Sequence, residues 1–186
     1  MARPVDREQI VALINQVAGE RRYLQTICYQ PNAAWEKLLR VGYDLQAGMC
    51  LLTLAEGKKI SGMARLFPDR QDFPERPTGN VGLALAPAWR GRGWGTELLI
   101  CLIACAQRMG YVFLRAEVLQ SNQPSLMLFQ KFGFTVTNHH KMYWKARQAW
   151  VNEVTVERCI KRPAGLCRSI NSDGANGPFS NNEEVY

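Results

Sequence analysis

Apolar residues at Ile10, Leu13, Ile14 and Val17 recur at i, i+3, i+4 and i+7, the stripe of an amphipathic helix, with Asp6 placed to cap its start. A second helical pattern follows Pro31, carries Trp35, Leu38 and Leu39, and stops near Gly42. Between them, residues 20–24 read as a loop or helix end bearing an exposed aromatic, Tyr23. The period then changes. Residues 49–55 form a buried strand, Gly57 and Lys58 fall in a hairpin turn, and residues 60–67 return as a second strand. Residues 68–78, rich in proline and charge, read as a loop, and 81–86 as a third strand stopped by Pro87.

A glycine-rich turn at 90–95 opens a helix over 96–109. Leu98, Cys101, Leu102, Cys105, Ala106 and Met109 make one face of it. Leu99, Ile100 and Ile103 make most of the rest apolar, which predicts a largely buried helix. Gly110 ends it; a strand over 111–119, a short helix over 124–132 and strands over 134–145 and 151–160 follow. This order predicts an α/β (α+β) fold: a mixed, mainly antiparallel sheet with one parallel crossover, flanked by about four helices. Residues 1–162 read as one domain and 163–186 as a polar, mobile tail, with no internal repeat.

Composition narrows the partners. The net charge is +7, and residues 161–186 carry three basic and three acidic residues, so the excess belongs to the rest of the chain. A basic surface suits a phosphate-bearing small molecule, a nucleic acid or an acidic protein. The chain lacks a helix-turn-helix signature, zinc ligands and an aromatic RNA-binding motif, which speaks against nucleic acid. No apolar run is long enough to span a bilayer, and no signal-peptide core follows the first residues, so the expected location is the cytoplasm with no membrane partner. The six cysteines include no C-x-x-C pair and the two histidines are adjacent, so no metal site is expected; Cys101 and Cys105 read as core filler.

The chemistry concentrates where the third strand meets the long helix. Three alternate glycines, Gly91, Gly93 and Gly95, lie in a turn that runs straight into a helix start. Glycines permit close backbone approach and positive φ, and a helix start presents unpaired N–H groups at the positive end of its dipole. That is a socket for a pyrophosphate, with Arg90 and Arg92 adding charge. Three readings stay open at this level: a turn shaped by geometry alone, a dinucleotide turn with Glu117 holding a ribose, and a coenzyme A site. Against the dinucleotide, Thr96 stands where a third glycine belongs, and the chain supplies only one βαβ unit.

Two blocks carry a resemblance. Arg90-x-x-Gly93-x-Gly95 looks like the R/Q-x-x-G-x-G/A signature of the GCN5-related N-acetyltransferase (GNAT) superfamily. Asn122-x-x-Ser125-x-x-Leu128-Phe129-x-Lys131-x-Gly133-Phe134 resembles that superfamily's second block at the expected separation. The element order matches over about residues 3–160, with the first strand reduced to residues 2–5.

The resemblance implies an N-acetyltransferase moving an acetyl group from acetyl-CoA to a primary amine by direct transfer in a ternary complex. It implies that the backbone of Leu83 and Leu85 pairs with the pantetheine arm. The N–H groups of Gly91, Arg92, Gly93, Trp94, Gly95 and Thr96 would hold the pyrophosphate, and Asn122 would bond the pantetheine or simply cap its helix. Phe129 would border the same site, and Glu117 matches a position that some members use as base.

Two residues depart from the superfamily's pattern. Asn80 stands where it often has a glutamate, and Phe129 where it usually has a tyrosine that protonates the leaving thiolate. Tyr143, His139 and His140 are candidate replacements. An acyl-CoA-binding sensor lacking the acid is the alternative. The acceptor, a small molecule or a peptide amine, is not specified; Arg21 and Arg22 beside Tyr23, with Tyr143 and Trp144, sit on the side that shapes it, and the arginines suit an acid-bearing amine. A homodimer, common in the superfamily, stays open.

Overall fold

A computed structural model describes residues 1–69, 76–145 and 147–160. The expected 163–186 tail and most of the 68–78 loop lie outside the described residues. Helices α1 (Arg7–Gly19) and α2 (Ala33–Val41) lead into strands β1 (Tyr43–Asp44), β2 (Met49–Glu56), β3 (Lys59–Pro68) and β4 (Thr78–Leu85). Then come α3 (Trp94–Arg108), β5 (Phe113–Leu119), α4 (Gln123–Lys131), β6 (Thr135–Trp144) and β7 (Ala149–Cys159). The sheet order is β1-β2-β3-β4-β5-β7-β6, and every neighbouring pair is antiparallel except β4–β5. The expected mixed sheet with one parallel crossover and four helices is the fold observed. No helix among the described residues is long and apolar enough to cross a membrane.

Strand alternation divides the core in two. Leu66, Val81, Leu114, Ala116 and Val156 face α3 and α4, while Leu51, Met63 and Ala84 face α1 and α2. The helices cover the second face only in part. Beyond them its residues turn polar, and Arg115 bonds both Glu157 (2.6 Å) and Asp69 (3.1 Å) there.

Several local expectations change. Asp6 precedes α1 but does not cap it: its carboxylate accepts from the Arg3 backbone N–H (2.9 Å) and guanidinium, closing the 3-10 turn at Pro4–Asp6 instead. That turn replaces the strand remnant at residues 2–5, of which only the Ala2 N–H to Leu51 C=O bond survives. In α3, Leu98, Leu99, Leu102, Ile103 and Ala106 are buried while Ile100 and Cys101 are exposed. A helix apolar nearly all round gives no stripe to fix its rotation, so the buried face is chosen by the sheet, and Cys101 is not core filler. Tyr23, expected to be exposed, is half-buried against the second core.

Candidate functional site

The parallel β4–β5 ladder runs only through Thr78↔Phe113, Gly79↔Leu114 and Asn80↔Arg115. Past that point β4 stays with β3 as far as Leu85↔Gly62, and β5 stays with β7 as far as Leu119↔Glu153. The sheet therefore splits into a wedge. A cleft of about 870 Å³ occupies it, extending under α1 and the segment that joins α1 to α2.

One wall of the wedge is a free strand edge. The Ala86 N–H bonds Ser61 C=O (2.9 Å), and backbone groups alternate sides along a strand. The N–H and C=O groups of Leu83 and Leu85 accordingly point away from β3, into the gap, where Arg90 Nε already takes the Leu85 carbonyl and the other three have no backbone partner among the described residues. Their side chains join Val81, Leu128 and the buried Phe129 in an apolar lining. An extended chain carrying amides and short alkyl links fits such an edge.

At the mouth, Gly91 and Gly93 have φ of +69° and +87°, and a Cβ on either would meet nothing within 4 Å. The left-handed backbone is what demands glycine here, and the space above the turn is open. Gly93 is the N-cap of α3 without a side-chain cap, and the Thr96 N–H turns back to its carbonyl at 2.8 Å. The earlier N–H groups of the helix start face outward, where an anion would be held. Gly91, Gly93, Gly95 and Thr96 line the cleft. Arg92 is exposed outside the lining, and Trp94 stacks on Trp89, centroids 5.9 Å apart.

Arg90 is engaged elsewhere. Its guanidinium makes a two-point pair with Glu20 (2.7 and 2.6 Å), donates from Nε to the Leu85 carbonyl (3.0 Å) and lies over the Tyr23 ring. It clasps the end of α1 to the glycine turn, so its charge is spent on Glu20. The pair holds the Glu20 carboxyl below the ordinary carboxylate range, mainly through the side-chain hydrogen bond. Stability from a depressed carboxyl is present above its unfolded pKa and lost as pH falls through the folded one. Both side chains are roughly a quarter exposed, so Glu20→Gln is expected to cost about 0.5–1 kcal/mol at pH 7, with the difference from wild type vanishing in strong acid; thermal melts at several pH values check this.

Asn122 caps α4, its Oδ1 accepting from the Ser125 N–H (3.3 Å). The group left to reach a ligand is its Nδ2 amide. Glu117 lines the cleft from β5, and its Oε2 accepts from Asn80 Nδ2 (2.8 Å), while Asn80 Oδ1 accepts from Arg65 (2.8 Å). Phe129 packs edge-on against Phe134, centroids 4.9 Å apart. None of the candidate acid replacements reaches the cleft lining. Tyr143 is exposed and stacks on Trp150 across the β6–β7 hairpin; His139 is exposed, and His140 bonds Thr155. Tyr143 is thereby held at the hairpin, away from the wedge. Arg21 and Arg22 are likewise outside the lining, and Trp144 is buried, its Nε1–H donating to the Gln25 carbonyl (3.1 Å).

The residues that sequence reasoning missed are Tyr29, Arg65 and Glu153, all lining the cleft. Arg65 interrupts an otherwise apolar strand, which was a readable signal. Burial pushes its pKa down, and burial pushes the Tyr29 phenol up. The buried Glu153 carboxyl is raised, first by desolvation and then by the Glu117 charge, although Gln25 donates to it.

The model of the acetyltransferase (GNAT) family matches residues 16–134. No curated protein sequence matches the chain. Similar solved structures include yncA of Salmonella typhimurium, determined with acetyl-CoA: 22% identical, TM-score 0.74, covering 88% of this chain and 94% of that one. Others are the ribosomal-protein-alanine N-acetyltransferase of Brucella melitensis (20%, TM-score 0.74, covering 85% and 96%) and a phosphinothricin acetyltransferase of Sinorhizobium meliloti in complex with acetyl-CoA (20%, TM-score 0.71, covering 89% and 91%). The wedge, the glycine turn and a family match over more than half the chain lead to one assignment: the chain belongs to the GNAT acetyltransferase family.

Proposed function

We propose that the chain is an N-acetyltransferase that moves the acetyl group of acetyl-CoA directly to a primary amine bound in the same cleft. The observation that carries this reading is the wedge: outward-facing Leu83 and Leu85 backbone on one side, and the open helix start at Gly91–Gly95 at its mouth. These residues fit the donor. The strand edge matches the amide-bearing pantetheine arm, and the α3 N–H groups match the pyrophosphate, with the Asn122 amide as a further donor.

Acetyl-CoA, when bound, supplies an activated thioester carbonyl. The chain's task is to hold the acceptor as a neutral amine, because an alkylammonium with a pKa of about 10.4 has no lone pair to attack with. Glu117 stands in the wedge as proton acceptor, directly or through one water, and Asn80 fixes its carboxylate from the side. Phe129 donates no proton. A thiol with a pKa of about 8.5 leaves passably without one near neutral pH, so the reaction does not require a tyrosine there. The similar structures include acetyltransferases of a ribosomal protein's alanine and of phosphinothricin, so fold likeness leaves the acceptor class undecided.

One observation favours a second reading. Phe129 is buried against Phe134 with no hydroxyl in its place, which suits a domain that binds acyl-CoA without turning it over. Calorimetric titration with acetyl-CoA followed by a thiol-release assay across amines separates the cases. Micromolar binding with amine-dependent thiol release supports the enzyme. Binding without release under any amine supports the sensor, and absence of binding overturns both.

A further inference from the structure

The half of the cleft under α1 and α2 carries charges of both signs in a fixed order. Arg65 projects from β3, and both its hydrogen bonds go to one neutral residue, the Asn80 carbonyl and side-chain amide. Among the described residues it forms no ion pair, and its Nε and second terminal nitrogen keep donors for another group. Beside it, the buried Tyr29 hydroxyl has no hydrogen-bond partner, although Asn15 pins the Tyr29 backbone through both its N–H (2.7 Å) and its C=O (3.2 Å). A desolvated guanidinium with no carboxylate bonded to it, only the Glu117 charge across Asn80, and an unsatisfied buried phenol are each costly unless a ligand answers them. On the other side of Asn80 lies Glu117, with Glu153 beyond it.

Arg65 and Glu117 bond opposite ends of a single carboxamide, so they stand no farther apart than two hydrogen bonds and one Asn side chain. We propose that this subsite binds a free amino acid, its carboxylate held by Arg65 and Tyr29 and its amine directed to Glu117 and Glu153. The assignment rests on the acetyl-transfer reading and names its acceptor class. Guanidinium meets a carboxylate through two parallel N–H donors, and the Tyr29 O–H supplies a third. Leu24, Trp35 and Met63 supply an apolar patch of the remaining wall, beside Gln25 and Thr26, and that patch suits an apolar side chain. A polyamine or a lysine side chain offers no anion to Arg65, and a protein N-terminus lacks the neighbouring carboxylate.

The protein saturated with coenzyme A is titrated calorimetrically with L-leucine, L-methionine and L-phenylalanine and with their carboxamides, which keep the amine and remove the anion. At least one acid is expected to bind ~10-fold or more tightly than its amide, the order of one buried charge-assisted contact. Arg65→Gln is expected to erase that ratio while leaving acetyl-CoA affinity intact, and Tyr29→Phe to weaken acid binding several-fold. Thiol release should follow the same order. Amides binding as well as acids, or none of the six binding, overturns the proposal, even if acetyl-CoA binds normally. Failure of the donor reading shows separately, as wild-type protein that does not bind acetyl-CoA. If Arg65→Gln does not fold, the wild-type ratio and Tyr29→Phe decide the matter.

Discussion

Gly93→Trp is expected to abolish detectable acetyl-CoA binding while leaving the fold intact. Gly93 sits at φ +87°, where an L-residue costs about 1–2 kcal/mol of backbone strain. In a domain of this size that lowers Tm by roughly 2–8 °C, which circular dichroism melts can follow. A Cβ there meets no protein atom within 4 Å, so the indole has room to project into the open space above the α3 N-terminus. That space is where the proposed pyrophosphate contacts lie. Losing two charge-assisted bonds, at about 1.5–3 kcal/mol each, weakens binding by about two to four orders of magnitude. Gly91→Ala, at φ +69° and equally open, carries similar strain with only a methyl group. It is expected to keep most of the affinity, which separates occlusion from strain. Wild-type affinity in Gly93→Trp would return the glycine turn to a purely geometric role and move the anion socket elsewhere.

The donor half of this cleft is local in sequence, which is why it was readable. The strand, the alternate glycines and the helix start fall within residues 78–108, and each is specified by backbone demands that leave a mark on residue type. The Asn122 block is equally local. Partnership was not readable. Arg90 looks like phosphate charge in the sequence, yet it closes on Glu20, seventy positions away, through a two-point pair that only the docking of α1 creates. Tyr143 looks like a spare hydroxyl, but the β6–β7 hairpin stacks it on Trp150.

The acceptor half is assembled from the α1–α2 segment, β3, β5 and β7, whose side chains follow no shared period. Gln25 and Glu153 meet across 128 positions. Arg65 was the one legible clue, since an arginine inside an apolar strand has to be answered by something. The Asn80 departure also acquires a reason. With Arg65 on one side and Glu117 on the other, an asparagine presents an acceptor to the first and a donor to the second. A glutamate could satisfy only Arg65, and would set two carboxylates against each other.

That arrangement makes Glu117 the sole proton acceptor on its pair of strands, and Glu117→Gln tests it. Glutamine is isosteric, and its Oε1 can still accept from Asn80 Nδ2, so the wedge should keep its shape and its affinity for acetyl-CoA. The rate at pH 7 is expected to fall by about 10²–10⁴-fold, the usual worth of a positioned general base. The pH dependence carries the stronger argument. In the variant only amine that has already lost its proton can react, and that fraction rises tenfold per pH unit below the amine pKa, which the carboxylate of a free amino acid lifts above the range of about 7.7–8.0 of a chain-terminal α-amine. The defect should therefore shrink steadily with rising pH over the range below that pKa. Steady-state rates from pH 6 to 9 with a saturating amine decide it. If Glu117 only anchors the ammonium, KM rises instead, kcat is little changed, and the two pH profiles run parallel. Glu153 then becomes the proton acceptor to test, since burial and the Glu117 charge both hold its carboxyl above the ordinary range.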